Sequence, residues 1–310
     1  MQASGNVLVC DSIDYIGIDS LKRSGLTVDY RPDISTNELF TCAKNYDVIV
    51  VRSKTKITKQ IINSATNVKV VARVGVGLDN IDVKAAEDRN IRVINTPEAT
   101  MNAVAELAIG LMICLARNLP YANTETKKGN WIKKDLMGIE IKGKYLGIIG
   151  VGNIGRNVGR IAKGLRMNLI GNDVYPISQD FTREVGMVTT DLDTLAESAD
   201  FITCHVPLTE ETKHMINERF FSKMKPSAYI INTSRGEIIE EGALYAALKT
   251  GRIAGAALDV FEIEPPTNEM LLALPNLLCT PHIAAQTKEA QELASLVIAE
   301  KIVQSITGVV

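Results

Sequence analysis

A glycine-rich turn in the middle of the chain is the first group of residues whose spacing indicates a chemical task. Gly150, Gly152 and Gly155 lie between a short apolar run and a helical pattern. In such a turn the first glycine allows the tight bend, the second lets backbone approach a pyrophosphate, and the third lets the helix pack on the strand. The phosphates then face the positive N-terminus of the helix. The spacing therefore predicts a dinucleotide site.

A carboxylate follows at the distance that suits the ribose of that dinucleotide. Asp173 ends the next apolar run, eighteen residues after Gly155. A carboxylate in this position accepts hydrogen bonds from both ribose hydroxyls and repels a 2′-phosphate. The sequence predicts NAD rather than NADP.

Further polar residues stand where predicted strands end. In open parallel sheets, ligands gather outside the carboxyl ends of the strands. An arginine after a strand is commonly a surface ion pair, but a shared edge favours a site. The residues in such positions are Arg52, Ser53, Arg73, Ser234, Arg235, Asp259 and His282. Proton transfer by imidazole near neutral pH would require one of the three histidines, His205, His214 or His282.

Bulk properties limit the classes of protein. The chain has 310 residues, enough for two domains, and a net charge of −2, without the excess of basic residues that nucleic acid requires. It begins without the basic and apolar regions of a signal peptide, and the apolar run 103–116 contains Glu106 and is too short to span a membrane. Five widely spaced cysteines are typical of reduced core residues and show no metal-ligand spacing. We therefore expect a cytoplasmic protein that binds small molecules, neither nucleic acid nor membrane, and no metal.

The elements that must position these residues alternate between strand and helix in two series. Strands are predicted at 7–10, 28–30, 48–51, 68–72 and 91–94, and then at 145–149, 168–172, 187–189, 201–205, 228–232, 253–259 and 277–280. Helices are predicted at 13–23, 36–44, 100–118 and 156–165, with a closing helix at 286–308. This pattern predicts an α/β protein with two doubly wound parallel sheets.

The ordered motifs of the chain resemble those of the D-2-hydroxyacid dehydrogenase family. The resemblance runs from about Val48 to the end of the closing helix, and the first 45 residues match only in pattern. It is carried by the glycine turn and by the strings 73–80 (RVGVGLDN), 95–97 (NTP), 205–208 (HVPL), 232–236 (NTSRG), 257–261 (ALDVF) and 281–282 (PH). Within the family the chain is most similar to the branch that oxidises 3-phospho-D-glycerate.

This resemblance implies a domain organisation. A Rossmann NAD-binding domain, 99–283, would be inserted into a flavodoxin-like substrate-binding domain formed by 1–98 and 284–310. It also implies a homodimer, with a tetramer as the alternative. Because the sequence ends directly after the closing helix, we expect the short form without a C-terminal regulatory domain.

The resemblance also implies catalytic residues. His282 matches the acid/base position, and Glu264 matches the carboxylate that hydrogen-bonds and orients it. Arg235 matches the residue whose planar guanidinium holds the substrate carboxylate and polarises the carbonyl. The backbone around Val74, Gly75 and Val76 would bind the same carboxylate. Further cofactor contacts are implied at Asn153, Ile154, Val76, Val206, Thr233, Ser234, Asp259 and Ala284.

The choice of substrate depends on residues far upstream of the glycine turn. Arg52, with Ser53 beside it, and Arg73 match positions that line the phosphate end of the substrate, and two guanidinium groups favour a dianionic phosphate over an apolar tail. We therefore expect oxidation of 3-phospho-D-glycerate to 3-phosphooxypyruvate in serine biosynthesis. Lys133 or Lys134 would reach the phosphate of a partner subunit, or form a solvated basic loop.

Two rival functions remain open at this level. The nearer is a glyoxylate or hydroxypyruvate reductase, or another D-2-hydroxyacid dehydrogenase, which would share Arg235, Glu264 and His282. The more distant is a non-enzymatic NAD(H)-sensing scaffold like the corepressors of the same fold. A formate dehydrogenase is disfavoured, because that branch pairs its histidine with glutamine where this chain has Glu264.

Overall fold

A computed structural model describes residues 4–308, which form two compact units. The first comprises the described residues up to Met101 and those from Ala285 onward, and the second is Asn102–Ala284. The boundaries predicted from the sequence, 98/99 and 283/284, lie within three residues of these. Each unit is a parallel sheet with helices on both faces, which confirms the predicted fold class.

The first unit begins with five strands and four helices in alternation. The strands are β1 (Asn6–Val9), β2 (Thr27–Tyr30), β3 (Val48–Val51), β4 (Val70–Arg73) and β5 (Arg92–Asn95). The helices are α1 (Tyr15–Arg23), α2 (Thr36–Cys42, extended by a 3₁₀ turn Ala43–Asn45), α3 (Lys59–Ser64) and α4 (Val83–Glu87). The strand order is β2-β1-β3-β4-β5, which is the flavodoxin-like order. The strands are all parallel, and the direction in which successive strands are added to the sheet reverses between β1 and β3.

Alternating side chains of these strands cover both faces of the first sheet. Val48 and Val50 lie in the core beneath α1, whereas Ile49 and Val51 lie in the core beneath α2, α3 and α4. This follows from the two-residue period of a strand buried on both sides. The sheet thus holds its strand ends in fixed register for the polar residues that follow them.

The second unit is reached through α5 (Pro97–Arg117), a long apolar helix. After it come α6 (Leu119–Lys127), a 3₁₀ turn (Lys133–Asp135), β6 (Tyr145–Ile149), α7 (Asn153–Gly164), β7 (Asn168–Asn172), α8 (Gln179–Val185), β8 (Met187–Thr189), α9 (Leu192–Ser198), β9 (Phe201–Cys204), α10 (Glu218–Lys223), β10 (Tyr229–Asn232), a 3₁₀ turn (Gly236–Ile238), α11 (Glu241–Lys249), β11 (Gly255–Leu258), α12 (Glu269–Leu272) and β12 (Leu277–Cys279). The strand order β12-β11-β10-β9-β6-β7-β8 is that of a Rossmann sheet, and its reversal lies between β6 and β9.

The closing helix, α13 (Lys288–Thr307), packs on the first sheet. Thr287 caps its N-terminus by accepting from the Ala290 amide at 3.2 Å. Where α13 meets α1 the backbones approach closely, because a Cβ on Gly17 would lie 2.5 Å from the Ser295 carbonyl oxygen. The first unit is therefore discontinuous in sequence.

Three details differ from the sequence predictions. Helix α5 extends over 21 residues and is long and apolar enough to cross a membrane, so the prediction that this run is too short was wrong; 61% of its most apolar window is buried, as in a core helix. Helix α6 was not among the helices predicted from the sequence. Cys10 and Cys204 are buried, but Cys279 is exposed on an edge strand rather than in the core.

Candidate active site

The glycine turn connects β6 to α7, and its three glycines are required for different reasons. Gly150 has φ +89°, and a Cβ there would lie 2.7 Å from the His205 carbonyl oxygen. A Cβ on Gly155 would lie 2.1 Å from the Gly150 carbonyl oxygen. By contrast, a Cβ on Gly152 would meet no protein atom within 4 Å. Gly150 and Gly155 are thus demanded by the fold, whereas Gly152 keeps space open in front of the turn.

The N-terminus of α7 completes a setting for an anion. Gly152 is its N-cap residue and provides no side-chain hydrogen bond, while Arg156 makes the first amide hydrogen bond back to Gly152 at 2.9 Å. The amides of Asn153 and Ile154 precede that bond, so they are among the N–H groups that a helix cannot satisfy itself. Such amides, with the helix dipole, bind phosphate. The turn fits a pyrophosphate.

Asp173 lies beside the same turn, after β7. Its Oδ2 accepts from the Val151 amide at 2.7 Å and its Oδ1 accepts from the Tyr175 amide at 2.9 Å. Each carboxylate oxygen has a second lone pair, so the group can still accept from ribose hydroxyls. Asp173 therefore links the glycine turn to the loop after β7, a contact that the sequence did not predict.

Two buried polar atoms follow the neighbouring strands β9 and β10. His205 places Nε2 2.9 Å from Thr203 Oγ1, while its Nδ1 is buried without a hydrogen-bond partner among residues 4–308. Desolvation lowers the pKa of His205 to about 3, so the ring is neutral at physiological pH. Thr233 Oγ1 is likewise buried and unpartnered in that part of the chain. Orphaned groups of this kind are costly unless a bound molecule satisfies them, and both lie at the carboxyl edge of the sheet, where open α/β sheets bind ligands.

Asn232 at the end of β10 builds the turn that carries Arg235. Its fully buried side chain accepts from the Ser234 amide at 3.0 Å and from Ser234 Oγ at 2.7 Å, and it donates to the Arg235 carbonyl at 2.8 Å. Arg235 in turn donates from Nη1 to the Ser234 carbonyl at 2.6 Å. Sequence reasoning missed Asn232 as a functional residue, although an asparagine directly after a strand is a typical turn former.

The carboxylate of Glu264 lies next to His282 as predicted. Glu264 Oε2 is 2.8 Å from His282 Nδ1, and Glu264 Oε1 accepts from the Phe261 amide at 3.2 Å. Partial burial acts to raise the pKa of Glu264, but the hydrogen bond and charge of His282, the Phe261 amide and the charge of Arg235 outweigh it and leave the pKa below its usual value. Glu264 is thus held as an anion against one ring nitrogen. The imidazole is half exposed, which leaves Nε2 for a substrate.

Two contacts fix the loop that presents Glu264. A Cβ on Gly236 would lie 1.9 Å from the Phe261 carbonyl carbon, so the turn after Arg235 touches the backbone of this loop. Glu241 and Glu262 also clamp it reciprocally: the Glu241 amide donates to Glu262 Oε1 at 3.1 Å, and the Glu262 amide donates to Glu241 Oε1 at 3.0 Å. The positions of Arg235 and Glu264 are therefore coupled through backbone contact.

His282 is positioned by Asp259, whose side chain is fully buried. The Asp259 carboxylate accepts from Thr280 Oγ1 at 2.6 Å, from the Ile283 amide at 2.9 Å and from the buried Ala284 at 2.8 Å. These bonds hold His282 in a left-handed conformation, with φ +51°. Asp259 therefore supports the loop that carries His282, and the nicotinamide contacts expected of Asp259 and Ala284 stay predictions.

His214 follows a polar run, from which we expected an exposed side chain, but it lies against Glu262. Its Nε2 lies 3.0 Å from Glu262 Oε1, and the ring is only partly accessible. The ring thus packs against the Glu264 loop, although His214 Nε2 makes no hydrogen bond among the described residues. The remaining cofactor residue from the prediction, Val206, is half-buried and sits beside Gly150, whose Cβ would come within 2.9 Å of its Cγ1.

In the first unit, Arg52 and Ser53 follow β3 at the point where the strand order reverses. Ser53 is exposed and Arg52 is half-buried. Burial lowers the pKa of Arg52 from its usual value, and the nearby Asp11 carboxylate opposes that shift. Among the described residues, no carboxylate forms an ion pair with Arg52. An arginine in this setting has donors available for an anionic ligand.

Arg73 ends β4, directly before the turn Val74–Gly75–Val76. Gly75 has φ +137°, and a Cβ there would lie 1.7 Å from Arg73 Nη1, so the guanidinium lies over the glycine. The Val74 amide donates to the Val51 carbonyl at 2.9 Å, and the Gly75 amide donates to Thr96 Oγ1 at 2.9 Å. Two of the three amides expected to bind a carboxylate are thus engaged within the protein. Of the three, only the amide of Val76 has no hydrogen-bond partner in the described part of the chain. The prediction of a carboxylate-binding backbone is therefore restricted to this amide.

Comparison with known proteins identifies the family. The family model for "D-isomer specific 2-hydroxyacid dehydrogenase, NAD binding domain" matches residues 109–284. The chain belongs to this family of oxidoreductases, which confirms the resemblance seen in the sequence and the NAD-binding domain. The glycine turn, Asp173, Arg235, Glu264 and Asp259 all lie within the matched region, as does His282.

Its relatives differ in the reaction that their names describe. The chain is 44% identical over 303 residues to D-3-phosphoglycerate dehydrogenase of Archaeoglobus fulgidus, covering 97% of this chain and 57% of that protein. It is 46% identical over 276 residues to hydroxypyruvate reductase of Thermotoga maritima, covering 88% of this chain and 89% of that protein. A solved glyoxylate reductase from Paecilomyes thermophila matches with a TM-score of 0.91 at 31% identity, covering 98% of this chain and 95% of that one. The chain thus spans little more than half the length of the phosphoglycerate dehydrogenases that it matches.

Proposed function

We propose that the protein is an NAD-dependent oxidoreductase that oxidises 3-phospho-D-glycerate to 3-phosphooxypyruvate. The observation that carries the reaction class is the contact of 2.8 Å between Glu264 and His282. The feature that favours a phosphorylated substrate is Arg52, a half-buried cation without an ion-pair partner in the described chain. In this proposal the protein acts in serine biosynthesis in the cytoplasm.

The acid/base step belongs to His282. Its Nε2 takes the proton of the substrate hydroxyl while the electron pair of the adjacent C–H bond leaves as hydride. When bound, NAD⁺ accepts that hydride. Glu264 stabilises the imidazolium that forms, since a carboxylate beside a histidine favours its charged state. In the reverse direction the same imidazolium returns the proton to the reduced carbonyl.

Arg235 would bind the substrate carboxylate and polarise the reacting carbonyl. A guanidinium suits this task because its donors form a rigid planar fork, which an ammonium group does not reproduce. The buried Asn232 holds the turn that carries Arg235 before substrate arrives. We expect this preorganisation to favour the developing charge on the reacting oxygen.

Cofactor binding would use the second unit's own donors. The Asn153 and Ile154 amides would hold the pyrophosphate, Asp173 the adenosine ribose, and Val206, Thr233 and Ser234 the length of the dinucleotide. The space in front of Gly152 and the uncapped start of α7 support this assignment. The buried orphan at Thr233 Oγ1 supports it as well.

In the first unit, Arg52 and Arg73 would bind the phosphate of the substrate, with Ser53 beside them. Arg52 follows β3 where the strand order reverses, which is where open α/β sheets bind ligands. The rival substrate class, unphosphorylated hydroxypyruvate or glyoxylate, is favoured by the similarity to the Thermotoga enzyme. An unphosphorylated substrate would leave the charge of Arg52 without an anion, and for this reason we prefer the phosphorylated one.

Initial rates test the proposal. NADH absorbance is followed with 3-phosphooxypyruvate, hydroxypyruvate, glyoxylate and pyruvate at matched concentrations. We expect the highest kcat/KM with 3-phosphooxypyruvate, and a preference for an unphosphorylated acid would reject the substrate proposal. Turnover that disappears in His282→Ala supports an enzyme. Tight NADH binding without turnover on any of the four acids would instead support a sensing scaffold.

Assembly is a second part of the proposal. We propose a homodimer, because the segment after α5 exposes large apolar side chains, including Trp131 at 82% and Met137 at 86% exposure. Lys133 and Lys134 lie in an exposed 3₁₀ turn of the same segment. Light scattering after size-exclusion chromatography distinguishes a dimer from a tetramer or a monomer. A monomer at micromolar concentration would contradict the proposal.

A further inference from the structure

The loop that carries Arg52 is held from below by one buried carboxylate. Asp11 follows β1, the strand adjacent to β3, and is only 3% exposed. Its Oδ2 accepts from the Arg52 amide at 2.6 Å, and both of its oxygens accept from the Thr55 amide at 3.1 and 3.2 Å. The Thr55 hydroxyl donates to Oδ1 at 2.6 Å. Asp11 thus bonds both ends of the segment 52–55.

A second side chain closes the same segment from the loop after β4. Asn80 donates from Nδ2 to the Arg52 carbonyl at 3.2 Å and to the Thr55 carbonyl at 2.7 Å. Asn80 is itself held, because the Ile57 amide donates to its carbonyl at 2.8 Å. Backbone donors of 52–55 therefore go to Asp11 and backbone acceptors receive from Asn80. Side chains of the protein itself therefore hold the segment at both of its ends.

Asp11 contacts the backbone of the Arg52 loop and not the guanidinium of Arg52. The Asp11 carboxylate accepts hydrogen bonds from two amides and a hydroxyl, and it forms no ion pair with Arg52 within the described residues. The donors of the guanidinium therefore stay available for a ligand. The charge of Asp11 still opposes the lowering of the Arg52 pKa that burial causes. An exposed loop would let Arg52 move away, and immobilising a long side chain on binding costs about 0.5–1.5 kcal/mol. A loop ordered in advance avoids part of that cost.

We infer that Asp11 is a positioning residue for substrate specificity, which holds the Arg52 loop as a preformed site for the phosphate of the substrate. The inference rests on the proposed function. Asp11 does not touch the substrate in this account; it acts through Arg52, with Asn80 and Thr55 as its structural partners. Nothing in the sequence indicated this, because Asp11 lies forty-one residues before Arg52.

The test uses the full chain with Asp11→Asn and the matched control Asp47→Asn. Asp47 precedes the same strand, β3, at its opposite end, and accepts from the Asn6 amide at 2.9 Å and from Lys69 Nζ at 3.0 Å. It therefore offers the same residue type and similar hydrogen bonds far from Arg52. Thr55→Val is a milder variant that removes one donor to Asp11, in case Asp11→Asn folds poorly.

For Asp11→Asn, we expect KM for 3-phosphooxypyruvate to rise about tenfold, the scale of one lost hydrogen bond to a charged group. KM for hydroxypyruvate and kcat for both should change less than about twofold, because the catalytic residues are elsewhere. Amide hydrogen exchange at Arg52 and Thr55 should accelerate. Asp47→Asn should leave both KM values unchanged, and Thr55→Val should show a smaller rise of the same selectivity.

Three results would overturn the inference. An equal rise in both KM values would show a general structural defect, and a selective rise with Asp47→Asn would show that the effect is not local. Unchanged exchange at Arg52 and Thr55 would show that Asp11 does not order the loop. Arg52→Ala separates the proposed function from the role of Asp11. If Arg52→Ala leaves the preference for the phosphorylated acid intact, the proposed function fails. If it abolishes that preference and Asp11→Asn does not, only the role of Asp11 fails.

Discussion

Gly152→Ala separates the needs of the cofactor from those of the fold. A methyl group at this position would meet no protein atom within 4 Å. The Gly152 backbone, with φ −76° and ψ −155°, is extended and accessible to alanine. The only preference of the folded protein for glycine here is the modest one of a helix N-cap, where glycine is favoured over alanine. Pyrophosphate binding at the first turn of α7 would require glycine, because the methyl group of alanine would lie between the phosphates and the amides.

The expected magnitude follows from the hydrogen bonds at risk. Loss of one charge-assisted hydrogen bond from a helix-terminal amide to the pyrophosphate costs about 1.5–3 kcal/mol, or roughly ten- to a hundredfold in Kd for NADH. The free energy of unfolding without cofactor should fall by no more than about 1 kcal/mol, the scale of a less favourable N-cap residue. Gly155→Ala is the contrasting variant, because its Cβ would lie 2.1 Å from the Gly150 carbonyl oxygen. That variant should lose both stability and affinity.

The assay combines fluorescence titration with NADH and urea unfolding of the cofactor-free protein for wild type and both variants. Wild-type NADH affinity in Gly152→Ala would refute the assignment of this turn to the pyrophosphate. Equal destabilisation of the two variants would refute the distinction between them.

Three further outcomes are expected. Glu264→Gln keeps the volume of the side chain but loses the negative charge that favours the imidazolium, so kcat/KM should fall about ten- to a hundredfold with little change in Tm; a variant of wild-type rate would remove Glu264 from the mechanism. Burial lowers the pKa of His205 from 6.5 to about 3, so below pH 6.5 the unfolded chain binds a proton that the folded chain does not. The free energy of unfolding should therefore fall by up to about 1.4 kcal/mol for each unit that the pH is lowered. Urea unfolding at several pH values should show a weaker pH dependence of that free energy for His205→Gln, and an equal pH dependence would contradict this. Gly236→Ala places a Cβ 1.9 Å from the Phe261 carbonyl carbon and should lower both Tm and kcat by displacing the Glu264 loop, whereas Gly242→Ala, whose Cβ meets nothing within 4 Å, should lower neither.

Local patterns predicted the strands and the glycine turn well, because both depend on near neighbours. The strands β3, β6, β7 and β8 have the bounds expected from their apolar runs. Asp173 was selected because a ribose contact would fix its distance from the turn, and its carboxylate does lie beside that turn. The pairing of Glu264 with His282 came from resemblance to the family, since the segment 265–281, with helix α12 and strand β12, separates them and spacing alone does not bring them together.

The residues that support the site were missed because their partners are distant in sequence or belong to the backbone. Asp11 reaches the Arg52 loop through the adjacency of β1 and β3, which only the strand order reveals. Glu241 and Glu262 bond to each other's amides, and a sequence pattern does not distinguish such carboxylates from a solvated surface. Asp259 could be placed at a strand end, but its burial and its three donors depend on the path of the loop after β12.

Direct competition between substrates tests the central claim most simply. Wild-type protein receives NADH with equal concentrations of 3-phosphooxypyruvate and hydroxypyruvate, and the two products are separated and measured at early times. The ratio of products gives the ratio of kcat/KM values. We predict that the phosphorylated product predominates by at least about tenfold, the least expected of one hydrogen bond between Arg52 and a phosphate. Predominance of the unphosphorylated product would contradict the account.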